Sequence, residues 1–148
     1  MTAVWNNFYD GSKSLEYYAD VMTALGASTA TSSKEIAQGL SKFSSIAKTT
    51  GLSYEYATSA LATITAATRQ SADSVGTSLK TMFSRLQGLS LGDTLDDGTT
   101  LNKYSKALLS VGVNIKEANG QLKSMDSILN ELGAKWQNLG KDTQIALA

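Results

Sequence analysis

An all-α fold, mainly helical and closed into a compact multi-helix bundle, is the class this sequence predicts, with one small β-hairpin near residues 113–123. Three observations predict it. The 148 residues include no proline, where average usage of about 5% would supply about seven, and proline breaks helix interiors. Apolar residues recur at three- and four-residue spacing along most of the chain. Serine precedes several of these runs and glycine follows them, which is the start and stop chemistry of helices.

The elements follow in order. Leu15, Tyr18, Met22 and Leu25 form the first apolar stripe, with Gly26 read as its stop. Ser32 and Glu35 stand at capping-box spacing, ahead of a face made of Ile36, Leu40, Phe43 and Ala47. Gly51 is read as the end of that helix. Ser53 caps the next one, whose face is Tyr54, Ala57, Leu61, Ile64 and Thr68. Its other side carries Ala60, Ala62, Ala66 and Ala67. Such small residues let neighbours approach closely, so this helix is expected at the centre of the bundle.

Ser71 or Asp73 opens a further helix. Val75, Leu79, Met82, Leu86 and Leu89 keep strict a/d spacing over about two heptads, enough for packing within the chain and short of a coiled coil. Gly88 and Gly92 loosen its end, and Asp93-Thr-Leu-Asp-Asp-Gly98 reads as an acidic turn. Leu101, Tyr104, Leu108 and Val111 predict a short helix. The stretch from Val113 to Lys123 alternates about Asn119-Gly120, the strongest short hairpin signal. It predicts two short strands over 113–116 and 121–123. Ser124 caps a helix with Met125, Ile128, Leu132, Trp136 and Leu139 on one face and Gly140 as its stop.

Asp142 is read as the cap of a last helix that runs out after less than two turns, the open end expected of a chain that continues. Residues 1–148 are read as one helical module, with an aromatic segment and the first helix in 1–31. No internal repeat and no low-complexity linker interrupts it.

Composition narrows the function. Thirteen basic and thirteen acidic residues give zero net charge, so no basic surplus recruits nucleic acid or anionic lipid. Charged residues are only 18%, against 35 serines and threonines, so the polar surface is mostly neutral hydroxyl. A near-neutral surface favours association. Without cysteine or histidine there are no disulfides, no His/Cys metal sites and no Ser-His or Cys-His nucleophile. No apolar run approaches the ~18 residues of a membrane span, and no secretory signal leads the chain.

The candidate chemistries reduce to structure. Asp93, Asp96 and Asp97 beside Gly98 suggest calcium, but Leu95 and Tyr104 stand where an EF-hand loop needs oxygen ligands. A turn is the better reading. Glu16, Glu35, Glu55 and Asp73 sit in first helical turns, where the macrodipole favours them. Gly88-Leu-Ser-Leu-Gly92 fits no phosphate loop. Arg69, Lys80 and Arg85 read as a solvated face, with Arg69 able to pair with Asp73 for about 0.3–0.5 kcal/mol. No catalytic, cofactor-binding or metal-ligating residue is assigned, and no enzyme is expected.

The aromatic residues gather near the N-terminus, at Trp5, Phe8, Tyr9, Tyr17 and Tyr18. Trp5 and Phe8 precede the first predicted helix and dock either on the bundle or on another subunit. With the seam residues Val75, Leu79, Met82 and Leu86 they form the candidate interaction surface.

The run from Ala66 to Gly98, with Thr68-Arg-Gln-Ser-Ala and Val75-Gly-Thr-Ser-Leu-Lys-Thr at its heart, resembles the core region of phage tail tape measure proteins. Ser32-Ser-Lys-Glu-Ile-Ala-Gln-Gly-Leu and Thr50-Gly-Leu-Ser-Tyr-Glu-Tyr-Ala resemble that family's preceding helices. Gly112-Val-Asn-Ile, Asn119-Gly and Ile128-Leu resemble its closing segment. The resemblance covers residues 32–148, and its specificity lies in the order of these stretches.

It implies a structural component of a phage or prophage tail, in the tail lumen of the virion and in the host cytoplasm during assembly. Such proteins set tail length and leave the tube ahead of DNA. The implied partners are the tail tube protein, tail assembly chaperones and further copies of the chain. As one straight helix the chain would reach only about 220 Å, so it is read as part of a longer ruler. Its caps, glycine stops and hairpin favour a folded core module over an extended shaft. The alternative is a free-standing helical adaptor that binds partner helices.

Overall fold

The computed structural model describes residues 2–29, 31–87 and 103–147. Eight helices lie among them. Contacts divide the chain into two compact units, residues 1–84 and 85–148.

The first unit contains α1 (Thr2–Phe8), α2 (Leu15–Ser28), α3 (Ser33–Thr49), α4 (Tyr54–Thr68) and most of α5 (Ala72–Gln87). Serine hydroxyls start α2, α3 and α4 by accepting an orphan amide of the first turn. Ser14 accepts from Tyr17, Ser32 from Glu35 and Ser53 from Tyr56. Glu35 completes the expected capping box by accepting the Ser32 amide at 2.9 Å. Gly26, by contrast, stops nothing: α2 runs on to Ser28 and ends at Thr29, whose amide and hydroxyl both return to the Leu25 carbonyl.

The centre of this unit is α3, not α4. It touches α1, α2 and α4, and Ile36, Leu40, Phe43 and Ala47 on its predicted face are all fully buried. Each large apolar side chain removed from water in this way contributes about 1.5–3 kcal/mol before entropy is counted. The small face of α4 does not hold the centre because only part of it faces the protein. Ala62 is buried, but Ala66 and Ala67 lie in solvent.

The fifth helix starts at Ser71, whose hydroxyl accepts the Ser74 amide at 3.2 Å. Its buried stripe is Ala72, Val75, Gly76, Leu79 and Phe83. The strict a/d seam therefore fails after Leu79: Met82 is 39% exposed and Phe83 is fully buried. A straight helix turns every 3.6 residues, so a 3.5-residue pattern drifts off the buried side. Phe83 packs on Phe43 of α3 with ring centroids 5.9 Å apart.

An element unread in the sequence opens the chain. Trp5 and Phe8 lie on α1, where Val4 is buried and Asn7 Nδ2 donates to Ser44 Oγ of α3 at 2.9 Å. Seven residues make a marginal helix alone. Tertiary contacts supply what propensity does not.

The second unit holds α6 (Lys103–Ser110), α7 (Met125–Trp136) and α8 (Lys141–Leu147). Leu108, Val113, Ile115 and Ile128 form its buried cluster, with Leu86, Leu109, Val111 and Leu132 packed around it. Ser124 caps α7 as expected, accepting the Ser127 amide. The helix ends at Trp136, before Gly140, and α8 begins at Lys141, one residue ahead of the expected cap Asp142.

The two expected strands over 113–116 and 121–123 do not form. The reversal at Asn119-Gly120 does, with Gly120 at φ +83°, a conformation glycine adopts without steric cost. One isolated antiparallel bridge joins Lys116 to Leu122. Its two cross-arm bonds run from the Glu117 amide to the Gln121 carbonyl at 2.8 Å and from the Lys123 amide to the Ile115 carbonyl at 2.9 Å, and the ladder goes no further. The Val113 amide bonds the Leu108 carbonyl at 2.9 Å, Asn114 the Glu131 carboxylate at 3.3 Å, and Lys116 the Asn114 side chain at 3.1 Å. On the other arm, Ser124 turns the chain into α7.

Candidate functional site

The six candidate surface residues do not share one patch. Val75 and Leu79 are 3% and 5% exposed within the first unit. Met82 stands in solvent, and Leu86 packs against the apolar cluster of the second unit. Leu89, Gly88-Leu-Ser-Leu-Gly92, the acidic stretch Asp93–Gly98 and Leu101 lie outside the described residues. Trp5 and Phe8 are half-buried against their own chain.

These two belong to an aromatic cluster built by α1, α2 and α4. Trp5 stacks on Tyr9 with centroids 3.9 Å apart and meets Tyr18 edge-on at 5.5 Å. Tyr54 meets Phe8 at 5.6 Å and Tyr18 at 4.6 Å. The three edge-on pairs have a favoured aromatic geometry. The two buried hydroxyls have partners: Tyr18 donates to the Phe8 carbonyl at 3.0 Å and Tyr54 to the Tyr18 carbonyl at 2.6 Å. Burial pushes both phenols above the usual tyrosine range.

A polar group borders the cluster. Lys13 Nζ donates to the Glu55 carboxylate and to Tyr17 Oη, the latter at 3.0 Å, and lies 4.1 Å from the Tyr17 ring centroid. Tyr17 Oη in turn donates to Glu55 at 2.5 Å. Partial burial alone would raise the Glu55 pKa, but the hydrogen bonds from Lys13 and Tyr17 outweigh it and hold the carboxyl below its ordinary range. The Glu55 bond raises Lys13 correspondingly. Nearby, Asp10 accepts the Ser12 amide and hydroxyl, which keeps its carboxyl low. No local pattern could reveal Lys13 and Glu55 as partners, because 42 residues separate them.

A cleft of about 360 Å³ opens beside this group, with Phe8, Tyr9, Tyr18 and Tyr54 among its walls. A second, of about 480 Å³, runs between α2 and α3 over Ala19, Thr23, Ser33, Ala37 and Ser41. The expected Arg69–Asp73 pair is absent. Arg69 caps α4 in the left-handed region at φ 57°, outside the helix that carries Asp73. Asp73 instead meets Lys42 of α3 at 3.0 Å, an exposed pair of the kind that contributes about 0–1 kcal/mol. Among the described residues no cluster of three or more acidic side chains is placed to hold a metal ion. No described helix is long and apolar enough to cross a membrane.

Among the described residues the elements are helices, packed through aromatic contacts and surface ion pairs, and the protein is of the mainly helical class. The chain belongs to the phage-related minor tail protein family, whose sequence profile it matches over residues 1–148. It is a virion-associated component of a phage tail. No solved structure matches it.

Proposed function

We propose that this chain is part of the tape measure protein of its phage, the polypeptide that sets tail length during assembly and leaves the tube ahead of DNA. The observation that carries the reading is the family match over the whole chain, joined to the ordered tape-measure-like stretches between Ser32 and Ala148. The tail tube protein, the tail assembly chaperones and further copies of the chain are its partners, and the tail lumen is its place in the virion. Within that protein, residues 1–84 act as a folded, non-metric module. The support is local: five helices cap, turn and bury one another's apolar faces, so their residues do not add end to end.

Electron microscopy of tails tests both parts. Duplicating helical segments elsewhere in the reading frame that encodes this chain lengthens the tail by about 1.5 Å per added residue. Tails of constant length, whichever segment is duplicated, overturn the ruler. Deleting Ser53–Leu89 in frame leaves tail length unchanged if the module is not metric, whereas shortening by about 55 Å makes it part of the shaft.

A further inference from the structure

The cleft beside the aromatic cluster has walls of two kinds. Phe8 and Tyr9 supply ring surface, backed by the buried Tyr18 and Tyr54. Asp10, Lys13, Lys48 and Glu55 also line it, two acids against two bases. Their formal charges cancel, so the cleft has no net pull on an anion or a cation. An apolar ligand would strip water from charged groups without replacing their hydrogen bonds, which is costly. The fitting ligand is neutral, with an apolar face for the rings and many hydroxyls for the rim. Pyranose rings have that division, with axial C–H bonds on their faces and hydroxyls at their edges.

We propose that this cleft binds a neutral saccharide. Its size, about 360 Å³, is within the range of small-ligand sites. The walls are set before binding. The hydroxyls of Tyr18 and Tyr54 are tied to backbone carbonyls, Lys13 is held by Glu55 and Tyr17, and Asp10 is held by Ser12. Groups fixed in this way lose little freedom when a ligand arrives. Tyr9 is the ring most available, with one face on Trp5 and 45% of the residue exposed.

The test is a titration of the ¹⁵N-labelled full chain with maltose, lactose and N,N′-diacetylchitobiose, read as amide chemical shifts. At least one sugar should give saturable shifts confined to residues 7–13 and 48–55. Tyr9→Ala and Asp10→Asn, at positions where the side chains are exposed, should keep the dispersed spectrum of the folded chain. Each should weaken binding, Tyr9→Ala by about tenfold, equivalent to about 1.4 kcal/mol. No saturable shift with any of the three sugars overturns the proposal. So do shifts that both variants leave unchanged, and shifts given by the zwitterion glycylglycine in place of the sugars.

Discussion

Gly39 of α3 and Gly76 of α5 meet backbone to backbone. A Cβ on Gly76 would fall 2.2 Å from the Gly39 carbonyl oxygen, and one on Gly39 would fall 2.3 Å from the carbonyl oxygen of Ala72. The nearest obstructing atoms are main chain, which cannot yield as a side chain can. The helices cross at this closeness only because both residues lack a Cβ, and Phe43 and Phe83 close the core beside them.

Alanine at either position should therefore force the helices apart. We expect Gly39→Ala and Gly76→Ala each to destabilise the first unit by about 1–3 kcal/mol, although alanine is the better helix former by about 1 kcal/mol. Gly133 of α7 is the control, since a Cβ there meets nothing within 4 Å. Gly133→Ala should stabilise by about 0.5–1 kcal/mol. Urea unfolding of the three variants measures the contrast, and equal signs would refute the crossing as described.

Adjacent residues of α5 should respond very differently to truncation. Phe83 is fully buried and Met82 is 39% exposed. Phe83→Ala should cost about 3–5 kcal/mol, while Met82→Ala should stay within about 0.5 kcal/mol. The reverse order in a chemical denaturation series would restore the heptad seam.

Removing the capping hydroxyl of α3 is a smaller, local change. Ser32→Ala should cost about 1 kcal/mol, because the Glu35 amide loses its acceptor and the reciprocal bond loses its geometry. Ser32→Asp should retain most of that stability. Thermal unfolding of the pair reports it.

Acid should loosen the second unit through Glu131. This carboxylate accepts from Lys123 at 2.6 Å and from the Asn114 amide at 3.3 Å, with Lys135 at 4.0 Å. The Lys123 bond, then the Asn114 amide, hold its pKa below the ordinary 4.5. A depressed pKa means the folded state releases the proton more readily than the unfolded chain. The contribution is thus fully present above about pH 4.5 and is lost as pH falls through the lower folded value. Glu131→Gln should flatten that acid limb for the second unit. Hydrogen exchange at Asn114, followed from neutral to acid pH, gives the readout.

How far the sequence could be read depended on the reach of each interaction. The caps at Ser32, Ser53 and Ser124 act over three residues and were legible in full. The buried face of α3 was legible because its period and its packing agree. On α5 the heptad count pointed to Met82 and passed over Phe83, since pattern counting cannot measure a drift of a few tens of degrees. Asn119-Gly120 signalled its turn correctly, but the two arms pair only at Lys116 and Leu122. Gly39 and Gly76 carried no signal, because a helical glycine looks alike whether it meets solvent or a backbone. The pairing of Lys13 with Glu55 and the gathering of Trp5, Tyr18 and Tyr54 exist only after the helices have packed.

The lone bridge at Lys116 and Leu122 has a consequence for crowding. A full hairpin would present a row of unpaired amides and carbonyls along each outer edge, and such rows recruit strands from other chains. Here three amides of the loop before α7 are taken up within the chain, by a helix end, an asparagine and a glutamate. This loop thus offers a neighbouring molecule one bridged pair in place of the long open edge of a full hairpin.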